Sequence, residues 1–297
     1  MKKQKIFAIM KKNILKGEKH MYQFLRFPGF RLKALTLSYD DGTVFDSRLV
    51  SIMKKHGIKG TFNLNSNINF RPNPRKLSLS DAWELFRDAG CELAVHGVEH
   101  YSLAEMPTPM MAREVLEDRV AMEKVTGAIV RGMAYANGSF NDEVVDVLRL
   151  SGIAYCRTTH STERFDLPTD WLRLDPTCHH ENPRLFELLD KFLDYKVDPK
   201  QYYWRFKPAL FYLWGHSYEF DNNNNWERIE QFLEKAGGHE DIWYATNIEI
   251  YEYLEAYRSL VFSADGTLVY NPTNVEVYLN YLGNSCVVAP GQTLKVK

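Results

Sequence analysis

Two stretches of the 297-residue sequence carry groups suited to binding a metal and moving protons. TLSYDDG ends in the adjacent carboxylates Asp40 and Asp41, and HGVEH places His96 and His100 four residues apart. Imidazoles at that spacing face one point if a helical turn begins there. Two histidines and one carboxylate, with a position left open for water, form a recurring catalytic zinc set. A further histidine, His216, closes the apolar run ALFYLWGH, and a group titrating near neutrality suits a proton donor. An H-x-x-x-H pair alone arises easily on a surface helix. Its combination with Asp-Asp at the end of a strand gives the metal reading its weight.

Those residues need elements to position them. Strand patterns fall at Ala34–Tyr39, Gly60–Leu64, Cys91–Val95, Ile129–Ala134, Ile153–Arg157, Trp171–Leu174, Ala209–Trp214 and Ile242–Tyr244. Helical patterns lie between them at Asp46–His56, Ser80–Ala89 with Ser80 as N-cap, Pro109–Thr126, Asp142–Leu150, Asn182–Tyr195, Trp226–Ala236 and Asn247–Tyr257. About seven βα units in succession predict an α/β fold, a distorted (β/α) barrel. An open doubly wound sheet is the alternative, but its glycine-rich nucleotide turn is missing after the first strand, which ends in DDGT. Barrel sites gather where strands end. Asp40 and Asp41, His96, and His216 each directly follow a strand pattern, and Asp170 and Asp175 flank another.

TLSYDDG, HGVEH, AYANG, DW and LWGH, in that order, resemble the motifs of the polysaccharide deacetylase family, the NodB-homology hydrolases akin to carbohydrate esterase family 4. The resemblance spans about residues 33–258. It implies a distorted (β/α) barrel that removes N- or O-acetyl groups from sugars with a divalent metal, most often Zn²⁺, with Co²⁺, Ni²⁺ or Mn²⁺ as substitutes. By the same resemblance Asp40 is the general base, Asp41, His96 and His100 are the metal ligands, and His216 is the general acid. The backbone N–H of Asn137 is the implied oxyanion donor. Tyr135, Asp170, Trp171 and Trp214 complete the implied substrate pocket. The chemistry is self-consistent: a metal acidifies its water, a neighbouring carboxylate takes the proton, and an imidazole protonates the leaving group.

The third motif departs from the family pattern. Ala134–Gly138 stands where R-x-P-aromatic-G is usual, so the arginine that orients the base is absent, and Arg131 is the nearest candidate to stand in. Gly215 replaces the apolar residue usual before the last histidine. Cys178-His179-His180 lacks a fourth ligand and reads as a loop near the rim, and Glu219 reads as solvated or as a sugar-hydroxyl partner.

The totals bound the rest. A composition of 45% hydrophobic and 25% charged residues is ordinary for a globular protein, and a net charge of −1 gives no basic excess for nucleic acid. Four scattered cysteines suggest free thiols in a reducing compartment. The basic start has an apolar run, Ile6 to Met10, too short for a signal peptide, and no stretch is long enough to span a membrane. The expectation is a cytoplasmic enzyme with an acetylated saccharide as partner and no membrane span; nothing in the sequence fixes its oligomeric state. Residues 1–32 read as an extension, 33–258 as the deacetylase domain, and 259–297 as a small β appendage with hairpins at Asp265-Gly266 and Pro290-Gly291. Two other readings stay open: a non-sugar C–N hydrolase of amidase or allantoinase type, and an inactive glycan-binding protein.

Overall fold

The computed structural model describes residues 22–196 and 207–296, so most of the expected N-terminal extension lies outside the described residues. The chain divides into two compact units, the larger comprising Ala34–Asp194 and Leu210–Tyr251.

After a two-residue strand, β1 (Leu25–Arg26), comes β2 (Lys33–Asp40), buried along its whole length. Its run ALTLSY has no apolar-polar alternation, as expected of a parallel strand covered on both faces. Around it are β3 (Thr61–Leu64), β4 (Glu92–Val95), β5 (Gly132–Ala134), β6 (Tyr155–Arg157), β7 (Cys178–His179), β8 (Ala209–Gly215) and β9 (Ile242–Tyr244). The order is β6-β5-β4-β3-β2-β8-β7, with β9 also paired to β2. The helices are α1 (Asp46–Lys55), α2 (Leu79–Asp88), α3 (Thr108–Thr126), α4 (Asp142–Leu150), α5 (Leu185–Leu193), α6 (Ser217–Asn222), α7 (Trp226–Ala236) and α8 (Asn247–Arg258). This is the expected distorted (β/α) barrel. None of these helices is long and apolar enough to cross a membrane.

The distortion has a local cause. The strand expected at Trp171–Leu174 is instead a 3₁₀ turn, because the Asp170 carboxylate accepts the Leu172 N–H at 3.1 Å and caps it. Only Leu174 still bridges Arg157 in parallel, and the chain pairs with β8 four residues later, at β7. The sequence pattern also missed α6, which follows His216 directly. Helix α2 begins one residue earlier than expected, capped by Ser78 rather than Ser80: Ser78 Oγ accepts the Asp81 N–H at 3.1 Å.

The smaller unit draws on both ends of the described chain. It contains β10 (Val261–Phe262), β11 (Leu268–Tyr270), β12 (Val277–Tyr281), β13 (Asn284–Val288) and β14 (Thr293–Lys295). They form two antiparallel three-stranded sheets, β1-β12-β13 and β10-β11-β14. Leu25 pairs with Leu279, so a strand from the segment read as an extension joins the C-terminal β structure.

The cap of α2 gives a direct check. Ser78→Ala is expected to cost about 1 kcal/mol, and Ser80→Ala no more than about 0.5 kcal/mol. Urea unfolding midpoints of the two variants distinguish Ser78 from Ser80 as the cap.

Candidate active site

Strand register brings the chemistry to one rim. Asp40 pairs with Asn63 across β2 and β3, Leu64 with Val95 across β3 and β4, and Ala134 with Arg157 across β5 and β6. The C-terminal ends of β2 to β6 therefore lie level, and the residues that follow them share one mouth.

Asp40 is buried at 2% exposure. Asn63 Nδ2 donates to its Oδ1 at 2.8 Å, and the guanidinium of Arg157 donates to its Oδ2. Burial alone would raise this carboxyl, but Arg157, then His96 and His216, outweigh burial and hold it below its ordinary value. Arg157 is itself fully buried, with its guanidinium carbon 4.3 Å from the centroid of the Trp214 ring. Arg157, from the strand next to the third motif, thus places a guanidinium on Asp40. Arg131 does not take that role: it is exposed, lies ahead of β5 at the far end from the rim, and donates to the Gly152 carbonyl at 3.3 Å.

Asp41 and His100 both have left-handed backbones, with φ of 80° and 62°. Gly42 follows at φ 61°, and a Cβ there would stand 2.6 Å from Leu64 Cγ, so the turn that aims Asp41 needs glycine. HGVEH forms a loop, not the helical turn that the spacing suggests. Asn65 Nδ2 fastens it by donating to the carbonyls of His96 at 3.1 Å and Gly97 at 2.8 Å. Glu114 accepts the Glu99 N–H at 2.9 Å.

The result brings the side chains of Asp41, His96 and His100 together, one donor atom from each lying within 4.8 Å of the others. His96 Nδ1–H donates to the Ala134 carbonyl at 2.9 Å, which leaves a lone pair on Nε2. That Nε2 is buried with no hydrogen-bond partner among the described residues. A buried, unsatisfied ring nitrogen beside a carboxylate and a second imidazole suits a divalent cation.

His216 stands across the rim, its Nε2 4.0 Å from Asp40 Oδ2. Its Nδ1–H donates to Glu219 Oε2 at 3.1 Å. Burial would lower this imidazole, but Glu219 and Asp40 reverse the effect and raise it above its ordinary value. Trp214 presents its ring edge-on to His216 and His179. Glu219 is no solvated surface group, since His179 Nε2 and His180 Nε2 each lie 3.2 Å from its Oε2.

Other expected pocket residues are placed differently. Asn137 is at the rim, left-handed at φ 56°, and its Nδ2 donates to the His100 carbonyl at 3.3 Å and to Ser102 Oγ at 3.2 Å. Tyr135 is buried away from the mouth: its hydroxyl donates to the Leu172 carbonyl at 2.8 Å and its ring stacks on Phe140. Asp170 is spent on the 3₁₀ turn and on Arg173 at 2.8 Å, and has no contact with the base. Trp171 packs edge-on against Tyr251, whose ring also lies under Arg131 at the opposite end of the strands, so it cannot line a pocket at the rim.

One buried carboxyl under the rim had no signal in the sequence. Asp46, at the start of α1, is fully buried and accepts from Ser217 Oγ at 2.5 Å. Burial, reinforced by the charges of Asp41 and Asp40, pushes it up to about 8.

Comparison with known proteins agrees with the motifs. Residues 30–156 match the family model described as polysaccharide deacetylase. A putative polysaccharide deacetylase from Mycobacterium smegmatis is similar in structure, with a TM-score of 0.57 at 16% identity, over 78% of this chain and 93% of that one. Peptidoglycan deacetylase PdaC from Bacillus subtilis gives 0.48 at 15% identity, over 76% and 93%. A family 4 acetyl xylan esterase from Clostridium thermocellum, in complex with a cobalt ion, gives 0.47 at 15%, over 74% and 90%. At these identities the likeness is one of fold, and the Mycobacterium structure carries it. None of the curated proteins matches the sequence.

Asp46 yields a pH test. A carboxyl raised in the folded state contributes stability below its unfolded value, and that contribution is lost as pH rises toward about 8. Asp46→Asn keeps the acceptor for Ser217 and removes the titration. The stability of the variant relative to wild type is expected to grow from about pH 4 to about pH 8 and then level. Urea unfolding across that range reads it, and a flat difference would show that Asp46 is not held neutral.

Proposed function

We propose that residues 33–258 form a metal-dependent hydrolase that removes N- or O-acetyl groups from a carbohydrate. One observation carries the reading: the unsatisfied Nε2 of His96, grouped with Asp41 and His100, lies 3.9 Å from a buried Asp40 carboxylate that Arg157 keeps ionised. Zinc suits this donor set, and when held by Asp41, His96 and His100 it would supply Lewis acidity and a water of pKa near ~7.

The residues divide the remaining work. Asp40 accepts the proton of the attacking water, with Asn63 and Arg157 fixing its two oxygens. The backbone N–H of Asn137, on its left-handed turn beside the His100 loop, is the donor we assign to the developing oxyanion by the motif resemblance. His216 then protonates the departing nitrogen or oxygen. Trp214 walls the mouth. Arg157 fills the gap in the third motif, and this supports turnover over inactive glycan binding. The saccharide itself is suggested by the family match over residues 30–156.

An acetate-release screen across acetylated saccharides tests this. Zinc-loaded protein is expected to release acetate, chelator to stop it and zinc to restore it. Asp41→Asn or His96→Ala should abolish release, and Asp40→Asn or His216→Ala should lower kcat by about 10²–10⁴-fold. Undiminished release from both ligand variants would rule the mechanism out.

A further inference from the structure

The motif resemblance leaves Cys178-His179-His180, Gly215 and Glu219 without a role, yet they meet behind His216. Glu219 is the third residue of α6, and its Oε2 accepts both the backbone N–H of His216 and its Nδ1–H, each at 3.1 Å. The same oxygen faces His179 Nε2 and His180 Nε2, each at 3.2 Å. His180 is completely buried, its ring packed between Tyr39 at 5.8 Å and Phe220 at 4.1 Å. A Cβ at position 215 would stand 2.0 Å from His180 Nδ1. Gly215 and His180 therefore explain each other: the apolar side chain usual at 215 would displace the ring.

Two chemistries fit three such groups around one oxygen. His179, His180 and Glu219 each offer a donor atom, all within 4.8 Å of one another, so a cation is one occupant to weigh. The ring of His179 argues against it. Its Nδ1 accepts the N–H of Glu181 at 3.2 Å, so in the neutral ring the proton is on Nε2, the atom that faces Glu219. A metal-binding nitrogen needs a lone pair there. His96 has the opposite arrangement, its Nδ1 facing a carbonyl and its Nε2 free of a proton. His96 and His179 are thus opposite in tautomer, while both ring nitrogens of His180 are buried without a hydrogen-bond partner among the described residues, so the cation alternative is kept as an outcome of the test.

We propose that Glu219, flanked by His179 and His180, is a positioning residue for the general acid His216. The role rests on the hydrolase reading above. A carboxylate is an acceptor only, so it keeps the His216 Nδ1 proton in place, and the proton gained and lost is the one on Nε2, which points toward Asp40 and the mouth. Glu219 is also anchored to the His216 backbone, so ring and main chain turn as one piece. The direction of the His216 shift, upward, agrees with a neighbouring carboxylate favouring the imidazolium needed in an acid.

The test reads ring tautomers and turnover separately. In ¹⁵N-histidine NMR of the zinc-loaded protein above the titration of His216, the neutral ring is expected to carry its proton on Nδ1. Glu219→Gln, which keeps an acceptor oxygen, should retain that tautomer, and Glu219→Leu and Glu219→Ala should lose it. Acetate-release kcat should fall about 10–100-fold in the Leu and Ala variants and less in Gln, with KM within about twofold. Two apolar variants are used so that a folding failure in one leaves the other to decide. An unchanged tautomer in either would overturn the proposal, as would a raised KM at constant kcat, which marks a sugar contact. A second zinc equivalent lost on His179→Ala would also overturn it, in favour of a metal site. If the wild type releases no acetate from any saccharide, the hydrolase reading fails, and the tautomer result still decides whether Glu219 orients His216.

Discussion

The buried pair between Asp40 and Arg157 is the constraint around which the rim is organised. Removing either ion from water costs several kcal/mol, about what their attraction returns only when every remaining polar atom is satisfied. Here Asn63 takes the second carboxylate oxygen, the Thr158 carbonyl accepts from Arg157 at 3.2 Å, and the face of Trp214 covers the guanidinium, while Arg157 Nε has no hydrogen-bond partner among the described residues. Each of those partners sits at the end of a different strand. The registers of β2 with β3 and of β5 with β6 are what bring them level, so the ionised Asp40 and the curl of the barrel depend on each other. Burial at 2% exposure pushes this carboxyl up, and Arg157 is the largest influence that opposes it.

The two histidine clusters are alike in composition and differ in ring tautomer. Both set two imidazoles and a carboxylate within 4.8 Å. What differs is the partner of the far ring nitrogen: a carbonyl behind His96 and a backbone N–H behind His179. A carbonyl fixes the proton away from the site and frees a lone pair, and an N–H does the reverse. Backbone thus fixes the tautomers of His96 and His179, since both partners are main-chain groups.

The sequence made the strand ends legible, and with them Asp40, Asp41, His96, His100 and His216, because a barrel concentrates function where its strands stop. Arg157 closes a recognised strand pattern and could have been found by the same rule. Its target is 117 residues away in sequence, and only the curl of the sheet reveals that the guanidinium reaches Asp40 rather than solvent. The H-x-x-x-H spacing is compatible with a helical turn, but positive φ at Gly97 and His100 aims the rings instead. Trp171–Leu174 looked like a strand by composition and lost to a single side-chain cap from Asp170. Periodicity cannot reveal a two-residue strand such as β7. Tyr135 and Trp171 match motif positions, but their rings pack against Phe140 and Tyr251.

Two of the three candidate metal ligands lie on a left-handed backbone that non-glycine residues rarely adopt, at a cost of about 1–3 kcal/mol each. Such conformations persist only where surrounding contacts over-determine them. Around Asp41 the enforcing contacts are its own N–H to the Asn63 carbonyl at 2.9 Å and the tight fit of Gly42 against Leu64. For His100 they are the Asn65 and Glu114 bonds on one side of the loop and Asn137 Nδ2 on the other. Asn137 is itself left-handed and belongs to the altered third motif. The departure from the family pattern at Ala134–Gly138 therefore leaves the ligand loop tethered: the motif that lost its arginine still holds His100 in place, while Arg157 supplies the charge from the next strand.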